Sequence, residues 1–347
     1  MEKLLHALEE RDQLWDLFTR REEYDPPFLD GHSRFLYFMS KHRNVLEPEV
    51  SRFLFENGLR VEYPEGRRFA VCLTHDIDTV GFPKLSTLSQ ATRSVASGHV
   101  IEGVKNAFSG LNKEWSPIWN FGNIMSLEQK YGAESSFYFL ATSKGYKGFT
   151  YEVESMEEVI AEIADRGWEI GLHGGYDSYI NLDRIEEEKG RLERVMGRGV
   201  IGYRNHYLRF KVPDTWELLS KAGIKYDTTF GYADCAGFRN GMCHPFRPVN
   251  LTERRQINIV EIPLTIMDET LFDNMALGME GAWEMIKLIV NRTEKYNGVV
   301  TVLWHNTHAV GDKLKLYEKT LRYCKDRSAW MTSGRRIYEW WIRGGYA

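Results

Sequence analysis

The chain has 347 residues, 43% hydrophobic and 13% aromatic, with 10 prolines. That composition excludes disorder, collagen and low-complexity structure and leaves one large α/β domain or two modest ones. Its 45 lysines and arginines against 49 aspartates and glutamates give a formal charge of −4, so a general electrostatic grip on nucleic acid or anionic lipid is excluded as well.

The opening MEKLLHALEERDQLWDLF is charged throughout. It has no apolar region of the kind a secretory signal needs, and the longest apolar runs, such as VVTVLW, are too short to span a bilayer. The expectation is a cytoplasmic protein without a transmembrane segment. Leu4, Leu5 and Leu8, then Leu14, Trp15 and Phe18, recur at helical spacing and predict a helical cap over residues 1–62.

Beyond the cap, residues 63–347 read as one barrel-forming unit. Seven short β-type runs follow, at 69–74, 135–140, 168–172, 199–203, 224–230, 258–264 and 298–304. Several are almost continuously apolar or β-branched, as strands buried on both faces are. Helix-like segments lie between most of them. The first, over 155–165, opens on Ser155 and Glu158 in the spacing of a capping box; others cover 214–222, 282–296 and 313–324. Alternation of this kind predicts a parallel sheet. Seven units in this length fit a distorted, closed or nearly closed (β/α) barrel better than an open doubly wound sheet. The long gap between the first two runs predicts a helical insert over 81–131, and 231–250 is too irregular for a crossover helix. Cysteines 72, 235, 243 and 324 form no CxxC pair, in keeping with a reducing compartment. Cys235, Cys243 and His244 share one loop, where a small metal site competes with the commoner role of buried apolar filler.

The chemistry-bearing residues fall at the C-terminal ends of these runs. The first ends in Thr74-His75-Asp76-Ile77-Asp78, the third in His173-Gly174-Gly175-Tyr176-Asp177, and the fourth in Arg204-Asn205-His206-Tyr207. The sixth leads into Met267-Asp268-Glu269, and the seventh ends in His305-Asn306-Thr307-His308. In a parallel barrel that is the face where catalytic side chains converge. Carboxylates with neutral imidazoles suit a borderline divalent metal, most naturally zinc, with cobalt or nickel as substitutes, holding a water in its open position. No GxxxxGK[ST] loop and no GxSxG elbow occurs in the chain, which leaves a metal-activated water as the expected nucleophile.

The blocks LTHDID, EIGLHGGYDSY, GYRNHY and LWHN, in this order across roughly 67–310, resemble the motifs of the polysaccharide deacetylases of carbohydrate esterase family four. The resemblance implies a seven-stranded (β/α) barrel and a metal-dependent deacetylase acting on an N- or O-acetylated sugar. It makes Asp76 the general base, Asp78 and His173 metal ligands, Arg204 the partner that keeps the base ionised, and His305 the acid that protonates the leaving group. The family's second metal histidine, four residues after His173, is here Asp177. Either Asp177 is a carboxylate ligand or the ligand comes from elsewhere, and His206 is the preferred substitute. Asp268 is placed to orient His305, and His75 is expected to face away from Asp76 and Asp78 across its strand, with the cleft as its alternative. Among aromatic residues, Tyr207, Tyr232, Phe238 and Trp304 are candidate walls of a sugar site, with core packing the default. The expected ligand is a carbohydrate, with no nucleic acid partner, and the near-neutral charge points to an uncharged sugar. Two other readings stay open: a hydrolase of another amide or cyclic imide on the same fold, and a glycan-binding protein with a decayed site.

Overall fold

The computed structural model describes residues 2–81 and 116–346. Most of the expected insert over 81–131 lies outside the described residues. Its described part contains a helix at Phe121–Lys130.

Parallel strands alternate with helices, as the sequence pattern predicts. The strands are β1 (Phe69–Ile77), β2 (Ser136–Leu140), β3 (Glu169–Gly174), β4 (Gly202–Asn205), β5 (Tyr226–Asp227), β6 (Val249–Asn250), β7 (Arg255–Gln256), β8 (Val260–Glu261), β9 (Ile266–Met267), β10 (Val299–Leu303) and β11 (Ala329–Thr332). The helices are α1 (Glu2–Glu9), α2 (Asp12–Thr19), α3 (Glu49–Glu56), α4 (Phe121–Lys130), α5 (Glu157–Asp165), α6 (Leu182–Met196), α7 (Asp214–Lys221), α8 (Met279–Lys295), α9 (Gly311–Asp326) and α10 (Gly334–Arg343). Strands β6 and β7 form a separate antiparallel hairpin, and the others make one sheet in the order β8-β5-β4-β3-β2-β1-β10-β9. This is a curled, distorted (β/α) barrel. No ladder joins β8 to β9 among the described residues, so the curl stays open there.

Seven strands were expected, and the sheet has nine. The two additions are β9 and β11. Strand β1 is long enough to serve two neighbours along one edge: Phe69–Cys72 pairs with β11, and Thr74–Ile77 pairs with β2. Its other edge pairs with β10. Every residue of β1 is buried, as a central strand with both faces covered must be.

The interior is packed by tyrosines seated over glycines. A Cβ at Gly171 would lie 2.3 Å from the Tyr138 ring, and one at Gly202 would lie 2.2 Å from the Tyr226 hydroxyl. Only glycine leaves room for these rings, so the Gly positions on β3 and β4 set the spacing of the strands below the site. The expected capping box at Ser155 does not form: Ser155 sits in a 3₁₀ turn, its hydroxyl donates to the Glu152 carbonyl, and α5 begins after Met156.

Residues 2–62 pack against the irregular 231–250 segment. The backbone N–H groups of Val50 and Ser51 donate to the Gly241 carbonyl, and Phe238 N–H donates to the Val45 carbonyl. Leu8, Leu17, Phe18, Val50 and Leu54 belong to the same buried core as β1 and β10. The described residues contain no helix long and apolar enough to cross a membrane.

Candidate active site

The site forms where β1, β3, β4, β9 and β10 end. Side chains alternate along an extended strand, so Asp76 and Asp78 share one side of the β1 terminus while His75 points to the other. There His75 lies between the Trp304 carbonyl, 2.6 Å from Nδ1, and the Glu128 carboxylate, 2.8 Å from Nε2. His75 is therefore excluded from the cleft.

Three ligand atoms converge beside Asp76. Asp78 Oδ1 lies 3.0 Å from His173 Nε2 and 3.3 Å from His206 Nδ1, and the two ring nitrogens are 3.1 Å apart. Ligands about 2.0–2.1 Å from a tetrahedral zinc are spaced by about 3.3–3.4 Å, so this triangle has the dimensions of one face of such a site. Two further observations fit a cation there. His173 Nδ1 lies 3.0 Å from the Arg204 carbonyl; as donor to that oxygen it turns the Nε2 lone pair toward Asp78 and His206. Asp78 Oδ1 is buried, and no described donor meets it with hydrogen-bond geometry. The donor set of one carboxylate and two imidazoles is one that zinc accepts, with a fourth position left for solvent or substrate. Burial disfavours the ionised Asp78 carboxylate, but the neighbouring His206 and His173 outweigh it and hold its pKa well below the ordinary value.

Asp76 sits next to this triangle, its Oδ2 3.7 Å from His173 Nε2. Arg204, fully buried, places Nε 3.4 Å from Asp76 Oδ1 and donates from Nη2 to Thr74 Oγ1 at 2.8 Å. The buried guanidinium beside the carboxylate fixes the direction in which Asp76 faces.

On the opposite side stands His305. Its Nδ1 is 2.6 Å from Asp268 Oδ1, its backbone N–H donates to Asp268 Oδ2 at 2.7 Å, and its Nε2 is 3.6 Å from Asp78 Oδ2. Burial lowers the basicity of this imidazole, yet Asp268, Glu269 and Asp78 outweigh that and raise its pKa well above the ordinary value. Asp268 comes from β9, the short strand that the sequence pattern merges into a neighbouring run.

Asp177 lies elsewhere. Its side chain is 66% exposed and pairs with Arg209 at 2.6 Å, so it stands apart from the triangle that His206 completes. Tyr232, Phe238 and Trp304 are buried in the core, whereas Tyr207 is 45% exposed and lines the cleft. Tyr207 and Leu208 both have left-handed backbones, with φ of 61° and 52°. Non-glycine residues adopt this conformation at some cost, and functional sites are one place where it recurs. Cys235 and Cys243 do not meet His244 in a metal-competent group among the described residues. Cys243 is buried, and its Sγ is 4.0 Å from His244 Nδ1.

Two cleft residues went unassigned in the sequence. Glu269 follows Asp268 directly, and the vicinal acids at a strand end were its only signal. Arg34 arrives from the N-terminal segment, where no strand end marks it; Asp30 grips its guanidinium at 2.8 Å, and it donates to the Tyr207 carbonyl at 3.0 Å. Arg34, Asp76, Asp78, His173, His206 and His305 line a cleft of about 120 Å³. That is well below the roughly 300–1,000 Å³ of pockets that engulf a whole ligand. A cleft this small admits one functional group and leaves the body of a larger molecule outside.

No protein family's sequence profile and no curated protein matches the chain. Solved structures share its fold, among them the following two. A protein of Mycobacterium smegmatis assigned as a polysaccharide deacetylase superposes with a TM-score of 0.58 at 18% identity, over 82% of this chain and 94% of that one. A second, from Pseudomonas aeruginosa PAO1 and assigned in the same way, gives 0.56 at 14% identity, over 92% of this chain and 98% of the other. The fold that the sequence motifs implied is therefore the fold observed.

Proposed function

We propose that this protein is a divergent polysaccharide deacetylase, a metal-dependent hydrolase that removes the acetyl group from an N-acetylated sugar or polysaccharide precursor. The observation that carries the reading is the triangle of Asp78, His173 and His206 ligand atoms, 3.0 to 3.3 Å apart, with Asp76 on one side and His305 on the other. The assignments of the two solved structures described above agree with it.

Asp78, His173 and His206 would hold a divalent metal, zinc before cobalt or nickel, which would supply Lewis acidity to the acyl carbonyl and to water. Asp76 is the general base. It takes a proton from water as the new C–O bond forms at the acyl carbon, and Arg204 keeps its carboxylate aimed. The Tyr207 N–H, directly after His206, is this chain's own donor to the oxyanion that develops. His305, held as imidazolium by Asp268, gives its proton to the nitrogen as the C–N bond breaks. One amide and one water thus become acetate and a free amine. The cleft volume suits this division, with the acyl group inside and the sugar at the mouth.

Acetate release from N-acetylated oligosaccharides tests the proposal. We expect release by the purified protein, its loss on chelation, and its return with added zinc. An absence of acetate release from N-acetylated sugars at every metal supplied overturns the reading.

A further inference from the structure

Of the three acids that line the cleft among the described residues, Asp76, Asp78 and Glu269, only Glu269 has no part in the mechanism above. It directly follows β9, and its backbone is fixed: Glu269 N–H donates to Asp268 Oδ1 at 2.7 Å. Asp268 is wholly buried behind His305, while Glu269 opens onto the cleft. A carboxylate oxygen of Glu269 lies within 4.8 Å of both an Asp78 oxygen and a His305 ring nitrogen. Among the described residues that carboxylate makes neither a hydrogen bond nor an ion pair. Burial costs this acid more than the charges of His305 and His308 return, and no described hydrogen-bond donor meets it. The partner belongs to the ligand.

The position says which atom that is. The leaving nitrogen must reach His305 to be protonated, so Glu269 faces the leaving-group side of the scissile bond, and Asp76 faces the side of attack. We infer that Glu269 is a specificity-determining residue that accepts a hydrogen bond from the N–H of the substrate's acylamino group and thereby selects N-acyl over O-acyl sugars. The inference rests on the deacetylase reading. An ester has no hydrogen at that place, and its bridging oxygen would meet the carboxylate lone pair to lone pair. The wrong substrate therefore leaves the acid unpaired and also repels it. As the nitrogen takes its proton it gains positive charge and the hydrogen bond strengthens, so the contribution belongs to kcat more than to KM.

The test compares an N-acetylglucosamine oligomer with a partly O-acetylated glucose oligomer, using wild type, Glu269→Ala and Glu269→Gln. Wild type is expected to favour the amide. Glu269→Ala should lose about 10- to 100-fold in kcat/KM on the amide, mostly in kcat, the size of one charge-assisted hydrogen bond, with the ester little changed. Glu269→Gln keeps an acceptor oxygen and should regain most of the amide activity, and both variants should retain the wild-type zinc content. Equal losses on the two substrates, an unmoved amide-to-ester ratio, or loss of zinc from the variants overturns the inference alone. Wild type inactive on both substrates overturns the deacetylase reading and this inference with it.

Discussion

At the scale of single residues the site divides into atoms that hold and atoms that transfer protons, and the two groups respond differently to substitution. Asp78→Ala removes the oxygen common to both imidazoles and should abolish stoichiometric zinc by elemental analysis. Asp76→Asn leaves Asp78, His173 and His206 untouched; it should keep the zinc and lose roughly 10²–10⁴-fold in kcat, the range for a missing general base. Comparable activity in wild type and both variants would remove both assignments. Asp268 acts through His305 and is read by pH. A histidine whose pKa is raised stays protonated to higher pH, so the acid form that the mechanism needs is lost only as pH rises through that raised value. Asp268 is the largest of the charges that raise it. Asp268→Asn should therefore shift the alkaline fall of the kcat profile to lower pH, while zinc content stays at the wild-type level. A lowered plateau with an unmoved alkaline limb would show that Asp268 is only structural.

At the scale of elements, the N-terminal segment is tied to the barrel by charges as well as by apolar contact. The Glu23 carboxylate accepts from Arg20 Nε at 2.7 Å and from Arg239 Nε at 3.1 Å, and Arg20 also donates to the Tyr232 hydroxyl at 2.7 Å. Burial pushes the Glu23 pKa up, but the two guanidiniums outweigh it and hold the carboxyl below its ordinary value. Glu23→Gln would take the carboxylate from buried Arg239 and leave Arg20 with Glu22 alone. It should cost about 3–5 kcal/mol of unfolding free energy, measured as a lower urea midpoint with an unchanged slope. Nothing in a single sequence announces this network, because paired and solvated charges look the same there. What the sequence did carry was hydrophobic periodicity and the placement of His, Asp and Arg after apolar runs. Those signals located β1, β2, β3, β4, β5, β8 and β10 and brought Asp76, Asp78, His173, Arg204, His206 and His305 to one end. Strand β9 escaped because it follows directly on the 258–264 run and is set apart only by its ladder to Val302 and Leu303, a tertiary fact with no local period. Strand β11 escaped for a related reason, since it shares an edge of β1 that β2 already occupies. His206 was recoverable only as a substitute for the residue expected at 177. The outcome turned on Arg209, which draws Asp177 away.

At the scale of the whole molecule, one buried histidine makes stability depend on pH away from the site. His244 lies where the N-terminal segment, the 231–250 loop and the C-terminal helix meet. It is fully buried, its Nδ1 is 2.9 Å from the Ser51 hydroxyl of α3, and its ring stands 6.1 Å from Trp341 of α10. Burial lowers its pKa to about 4 from an ordinary 6.5. Between those values the unfolded chain binds a proton at this position and the folded chain does not, so protonation favours unfolding. The contribution is complete above about pH 6.5 and is lost progressively as pH falls toward 4; at 1.36 kcal/mol per pKa unit it amounts to about 3 kcal/mol. The site histidines act in the opposite sense. The raised pKa values of His173 and His305 add stability at low pH that is lost as pH rises, so the wild-type curve alone mixes the two effects. Comparing wild type with His244→Gln at pH 7 and pH 4.5 separates them. The variant is expected to be less stable at pH 7 through imperfect packing, and to lose clearly less stability than wild type on acidification. Parallel losses in the two proteins would place the acid sensitivity outside His244, in carboxylates such as Asp78 and Asp268 that the site holds ionised.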